Sequence, residues 1–202
     1  DLADKYPTAK AVFDEVDEAL GQDLSGLIWS GSEDELKLTA NTQPALMAVS
    51  VAAMRALEEA HGIAADKAAF IAGHSLGEYS ALASAGAISV GDCAKVLRIR
   101  GNAMQSAVPA GEGAMAALLG ASPEQAATLC ANGAAEGPCE IANDNAPGQI
   151  VISGAKAAVE LAISGAKEAG VKKAVLLPVS APFHCSLMQP AADAMAEALG
   201  TI

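Results

Sequence analysis

The 202-residue chain carries 12 Lys and Arg against 24 Asp and Glu, a formal net charge of −12, which excludes the basic footprint that nucleic acid or an anionic membrane requires. Its 52% hydrophobic and 18% charged content supplies a buried core and excludes disorder. The length suits one medium domain, or one domain carrying a smaller subdomain.

The chain opens at Asp1 with no charged-then-apolar leader, so no signal peptide is expected. Ala11, Val12, Phe13, Val16 and Leu20 fall at helical spacing within Tyr6 to Leu20. A second helix is predicted from Thr42 through Leu46, Val49, Val51, Met54 and Leu57 to a stop at Gly62. Its apolar stretch, Ala45 to Met54, is too short to span a bilayer, and a soluble cytoplasmic protein is expected. Ala68 to Ala72 reads as a short strand running into Gly73-His74-Ser75-Leu76-Gly77. Helical spacing resumes at Tyr79, Leu82 and Ala83 and halts at Gly86. Ser89 with Asp92 forms a capping-box pattern before a helix carrying Val90, Val96, Leu97 and Met104.

Composition shifts at Val108-Pro109-Ala110-Gly111-Glu112-Gly113, a hinge pattern. Ala114 to Leu119 reads as a strand, and Ser122-Pro123 starts a helix with Pro at its first position. Glu140 to Asn143 and Gln149 to Ser153 read as strands joined by a turn. A helix over Ala155 to Ala169 closes at Gly170, and Lys173 to Val179 is a final strand. The order β-α-β-β-α-β is that of a ferredoxin-like unit. It predicts a small subdomain over residues 111–179, inserted into an α/β body of residues 1–110 and 180–202.

Cys93, Cys130, Cys139 and Cys185 form no C-x-x-C pair and have no histidine at ligand spacing, so buried thiols are expected, with no metal site. The G-x-S-x-G turn carries chemistry when a strand precedes it and a helix follows. Ser75 would then project from the bend as a nucleophile, with the Leu76 N–H and the helix start facing an oxyanion. Such a serine needs a base. Of three histidines, His61 suits a helix end, and His74, adjacent to the serine, leaves the turn in another direction. His184 is the better base by elimination; a surface-loop histidine is the alternative.

Two of the three arginines lie in Leu97-Arg98-Ile99-Arg100. Arg98 shares a polar helix face with Lys95 and Asn102, whereas Arg100 falls in line with Val96, Leu97 and Met104 on the apolar stripe. An inward guanidinium needs an anion, either an internal Asp or Glu or the carboxylate of a substrate held in two-pronged geometry.

Ala72-Gly73-His74-Ser75-Leu76-Gly77-Glu78-Tyr79-Ser80-Ala81-Leu82 resembles the nucleophile motif of the malonyl-CoA:acyl carrier protein transacylases, relatives of polyketide-synthase acyltransferase domains. The likeness extends to Thr42-Gln43-Pro44-Ala45-Leu46, Arg100-Gly101, Val108-Pro109, Gly113 to Ala117, Asn143 to Gln149 and Pro178 to Cys185. The resemblance implies an α/β-hydrolase-like body with an inserted ferredoxin-like subdomain. It implies Ser75 as the acylated nucleophile, His184 as its base and Arg100 as partner of the malonyl carboxylate. Leu76 would give an oxyanion N–H, while His74, Gln43 and Asn145 line or support the pocket. Phe183 before the histidine resembles the malonyl-selective version of that segment. Family members begin with a strand and a Gly-Gln-Gly-Ser loop supplying a second oxyanion contact, and continue past the equivalent of Ile202; both lie outside this sequence.

The implied reaction moves malonyl from malonyl-CoA to the pantetheine thiol of acyl carrier protein, with no cofactor, in a monomer. Lys95, Arg98, Lys172 and Lys173 are the cations available to dock an acidic carrier. A serine hydrolase on a related fold, a non-catalytic carrier-protein binding module and a Cys185 nucleophile are the rival readings.

Overall fold

The computed structural model describes residues 1–179 and 181–202. Ser180, at which the sequence predicts the larger body to resume, lies outside the described residues. The architecture is mixed α/β, with helices and an antiparallel sheet. The chain divides into two compact units, Asp1–Asn102 with Ala194–Ile202, and Ala103–Asp193.

The first unit is helical. In chain order come α1 (Leu2–Lys5), α2 (Pro7–Leu20), α3 (Leu24–Ser30), α4 (Glu33–Leu36), α5 (Thr39–His61), α6 (Gly77–Ser84) and α7 (Val90–Ser106), whose last residues from Ala103 on are counted with the second unit. Pro7 sits at the start of α2, where its missing N–H costs nothing. Val12, Phe13 and Val16 of α2 are buried in one core with Met47, Ala48, Val51 and Ala52 of α5 and Cys93, Ala94 and Leu97 of α7. Gly21 and Gly62, at φ 60° and 66°, end α2 and α5. The predicted cap at Ser89 forms: its Oγ accepts from Asp92 N at 3.0 Å. Sequence periodicity is silent between the first two long helices, and polar caps organise that stretch. Asp17 accepts from Ser25 N and Oγ at 2.9 and 2.6 Å, and Asp23 accepts from Gly26 N at 2.8 Å to start α3.

One expectation fails here. Ala68 to Ala72 is not a strand; the segment leaves a 3-10 turn at Ala65–Lys67 and enters the Gly73 turn without regular structure. A strand exists only through ladder bonds to a neighbour, and the sheet among the described residues contains no partner for it. Its apolar side chains are left outside, with Phe70 94% exposed.

The second unit holds β1 (Gly113–Leu119), α8 (Pro123–Gly133), β2 (Cys139–Ala146), β3 (Gln149–Ala155), α9 (Lys156–Ser164), β4 (Lys173–Leu176) and the start of α10 (Gln189–Leu199). The strands lie in the order β2-β3-β1-β4, each pair antiparallel. Ser122 caps α8, its Oγ accepting from Gln125 N while Gln125 Oε1 accepts from Ser122 N. Pro147-Gly148 turns β2 into β3, with Gly148 at φ 77°. The β2 strand runs longer than predicted, through Ala146, by absorbing irregularities between Ile141 and Asn143 and between Asp144 and Ala146. Two ends come earlier than predicted. α9 stops at Ser164, whose Oγ turns back to Leu161 O at 2.7 Å, and separate turns carry the chain to Gly170. β4 stops at Leu176; one more bond follows, from Leu177 N to Met115 O at 2.9 Å, before Val179 N turns back to Leu177 O at 2.9 Å. One sheet face and the two helices enclose Leu118, Ile150, Ile152, Leu129 and Val159.

Leu118 of the central strand β1 is 0% exposed. Leu118→Ala should destabilise this unit by about 2–5 kcal/mol, measured by denaturant unfolding. A cost below about 1 kcal/mol would mean that this core is not close-packed.

Candidate acyl-transfer site

Ser75 is brought to the surface of its turn by backbone strain that it carries itself. It adopts φ 54°, in the left-handed region that non-glycine residues rarely occupy. The two flanking glycines do different work. A Cβ on Gly73 would run into the Gly77 carbonyl and Glu78 N, whereas at Gly77 nothing lies within 4 Å. Gly73 therefore lets the chain fold back on itself, and Gly77 simply begins α6. The turn is closed by Gly77 N to His74 O at 2.9 Å, Glu78 N to Ser75 O at 3.2 Å and Tyr79 N to Leu76 O at 3.0 Å. The Leu76 N–H makes none of these bonds and sits beside Ser75 at the helix start, as an oxyanion donor would.

Arg100 of α7 donates from Nη2 to Ser75 Oγ at 3.1 Å and from Nη1 to Gln43 Oε1 at 2.6 Å. Gln43 is buried and held by its own donation to Thr39 Oγ1 at 3.1 Å. The Arg100 guanidinium also stands 5.7 Å from the centre of the Tyr79 ring. This geometry depends on Gly101. A Cβ there would lie 2.6 Å from Ala40 Cα and Thr39 O, so only glycine lets α7 pass this close to the start of α5.

Of the two sequence readings of Arg100, an internal ion pair finds no support. Among the described residues no Asp or Glu is bridged to it. Burial lowers its pKa, with Tyr79 and Glu78 raising it in part. The same burial raises that of Tyr79, which Arg100 opposes. The site holds a half-buried cation hydrogen-bonded to neutral oxygens, with Glu78 near enough to act on it but not bridged to it. Arg98 is drawn inward too: Nη2 donates to Gln22 Oε1 at 2.6 Å, and its Nε is buried without a partner. It is therefore less exposed than Lys95, Lys172 and Lys173.

The other candidates fall in separate places. His74 is exposed beside Ser75, and Asn145 is exposed on β2. His61 ends α5. His184, in the second unit, is half-buried and adopts φ 60°, the other non-glycine residue with positive φ among the described residues. Its neighbour Cys185 donates to Pro182 O at 3.1 Å, and burial pushes its thiol pKa up, which suits a spectator and not a nucleophile. All four cysteines are free and buried. No group of side chains suited to hold a metal ion occurs among the described residues, nor is any helix there long and apolar enough to cross a membrane. Three supports escaped sequence reasoning. Tyr79, in the first turn of α6, could have been found as the aromatic residue four positions after Ser75; Thr39 and the steric role of Gly101 carry no sequence signal.

The acyl transferase domain family model matches residues 1–202. The malonyl CoA-acyl carrier protein transacylase of Bacillus subtilis (strain 168) is 50% identical over 200 residues, covering 98% of this chain and 62% of that protein. The crystal structure of acyl-carrier-protein-S-malonyltransferase from Bartonella henselae aligns with a TM-score of 0.95 at 56% identity, covering 100% of this chain and 64% of that one. A structure of a type II PKS acyl-carrier protein in complex with its malonyl-transacylase aligns at TM-score 0.94 and 45% identity, with coverage of 100% and 64%. The chain thus spans just under two thirds of the length of these relatives.

The two glycines of the turn should respond oppositely to an added methyl group. Gly73→Ala is expected to destabilise by about 1–3 kcal/mol through overpacking. Gly77→Ala should be neutral or stabilising by up to about 1 kcal/mol through helix propensity. Equal effects in denaturant unfolding would contradict the assignment of the fold-back to Gly73.

Proposed function

This chain belongs to the acyl transferase domain family, and on that premise we propose that its protein transfers malonyl from malonyl-CoA to the pantetheine thiol of acyl carrier protein through a malonyl-serine intermediate. The observation that carries the reading is the half-buried Arg100, without a carboxylate partner among the described residues and 3.1 Å from Ser75 Oγ. Glu78 acts on this cation without bridging it, and an acyl group ending in a carboxylate would bring the direct counter-charge. An acetyl group brings none. Relatives named for malonyl transfer, and one solved with an acyl-carrier protein, support the same reading.

In the first half-reaction Ser75 Oγ attacks the thioester carbonyl as its proton passes to His184 Nε2, and the carbonyl oxygen becomes an oxyanion stabilised by the Leu76 N–H. Collapse breaks the C–S bond, and His184 returns the proton to the departing CoA sulfur. In the second, the carrier thiol gives its proton to His184 and attacks the malonyl ester. Ser75 leaves with the proton that His184 returns. Arg100, held by Gln43 and faced by Tyr79, grips the distal carboxylate throughout. His74 and Asn145 border the substrate path. The chemistry so written uses no metal or cofactor, and it suits a cytoplasmic monomer.

We read residues 111–179, which form most of the second unit, as the ferredoxin-like subdomain. The β-α-β-β-α-β order with strands β2-β3-β1-β4 supports this. Residues 1–110 and 180–202 are then part of an α/β-hydrolase-like body, a reading supported by the strained serine turn at the head of α6.

Intact mass of the full-length protein after mixing with malonyl-CoA tests this directly. A malonyl adduct is expected, absent in Ser75→Ala and much weaker with acetyl-CoA. Arg100→Ala should lower kcat/KM for malonyl-CoA by about 10²-fold or more without lowering that for acetyl-CoA, and Arg100→Lys should restore it only in part. No adduct on Ser75, or equal loss with both thioesters, overturns the reading. Rapid loss of the adduct to water in the presence of carrier protein would favour the hydrolase.

A further inference from the structure

His184 holds a backbone conformation that costs about 1 kcal/mol or more for a residue with a Cβ, and such strain persists only where the surroundings over-determine it. Within the second unit three restraints converge on residues 181–188. Upstream, Pro182 is seated on Gly113 at the start of β1, so closely that a Cβ on the glycine would overlap the proline ring. Around the histidine, Cys185 Sγ donates to Pro182 O at 3.1 Å. Phe183, Leu187 and Met188 pack with Met104, Val108 and Ala191. Downstream, Glu140 reaches over from β2. One carboxylate oxygen accepts from Ser186 N at 3.1 Å and the other from Ser186 Oγ.

The Glu140 contact differs in kind from the rest. It joins residues 46 apart in sequence, is made by a charged group, and takes both polar hydrogens of a single residue two positions after His184. Apolar packing leaves a loop free to slide and rotate by small amounts. A two-oxygen clamp on one N–H and one O–H fixes both position and orientation. Glu140 itself is anchored in a strand, paired across from Ser153 of β3.

We propose that Glu140 is a positioning residue for His184, its carboxylate fixing Ser186 so that the imidazole is held in the orientation proton transfer requires. This rests on the reading of His184 as the general base. The bland alternative is that Glu140 only caps the short helical turn Ser186–Met188, contributing stability and nothing to rate.

The two are separated in the full-length protein by acyl transfer assays on Glu140→Ala, Glu140→Gln, Ser186→Ala and His184→Ala, with a Glu140→Ala/His184→Ala double variant. Loss of the clamp should lower kcat by about 10- to 100-fold, the scale of a misplaced catalytic group, with KM for malonyl-CoA changed less than about twofold. Glu140→Gln, which keeps one acceptor oxygen, should recover part of the rate, and Ser186→Ala should resemble Glu140→Ala. In the His184→Ala background Glu140→Ala should cost nothing further, because its effect passes through the histidine. A Glu140→Ala protein of lowered thermal midpoint but unchanged kcat, beside an inactive His184→Ala, overturns the proposal and leaves the base reading standing. Additive losses in the double variant overturn it as well. A fully active His184→Ala overturns the base reading, and the positioning role with it. Should Glu140→Ala fail to fold, Glu140→Gln and Ser186→Ala give the same rate comparison.

Discussion

A guanidinium half-buried among neutral oxygens is the constraint from which the candidate site follows. Arg100 cannot shed its proton, so the surrounding chain must hold it by geometry. Gly101 brings α7 against the start of α5, Gln43 is placed to accept, Thr39 fixes Gln43, and Tyr79 offers its ring face. Each partner is dipolar or aromatic, which supports a cation without cancelling it. On the proposed reaction, that is the charge a ligand with an anionic end would satisfy.

Strain is distributed with similar economy. Two non-glycine residues among those described have left-handed backbones, Ser75 and His184, and they are the two groups between which the proposed reaction moves its proton. Their supports differ. The serine turn is closed by its own neighbours in sequence, through backbone bonds spanning three residues. The histidine turn is closed by groups far away in sequence, Gly113 and Glu140. A local turn re-forms readily, while a turn built from distant parts requires its whole unit to be folded first.

That difference also explains what could be read from the sequence. The α2 and α7 helices, the Ser122 cap and the Pro147-Gly148 turn were legible because each depends on residues within a few positions of one another. Arg100 was legible as an anomaly, a charge on an apolar stripe, with two alternatives open by pattern and a carboxylate-binding role implied by resemblance; its partners Gln43 and Ser75 were not legible. The strand expected over Ala68 to Ala72 was wrong because an apolar run alone makes neither a strand nor a buried segment; both require a neighbour, and none covers it among the described residues. Arg98 looked like a surface residue by helical position, yet Gln22, 76 residues away, draws it in. The Glu140 clamp had no sequence signature, since nothing local distinguishes a carboxylate on a strand that caps a remote turn.

The four cysteines are all inside, none of them paired. For Cys93 burial pushes the thiol up to about 12, leaving almost no thiolate at neutral pH. Cys139 differs, its thiol pKa lowered by a hydrogen bond from Cys130, so burial and not ionisation is what guards it; with all four thiols inside, the molecule is a usable chassis for spectroscopy. One cysteine introduced on an exposed position, such as Lys95 or Lys172, would take a fluorophore or spin label with little competing background, and would do so without first removing residues that the core uses.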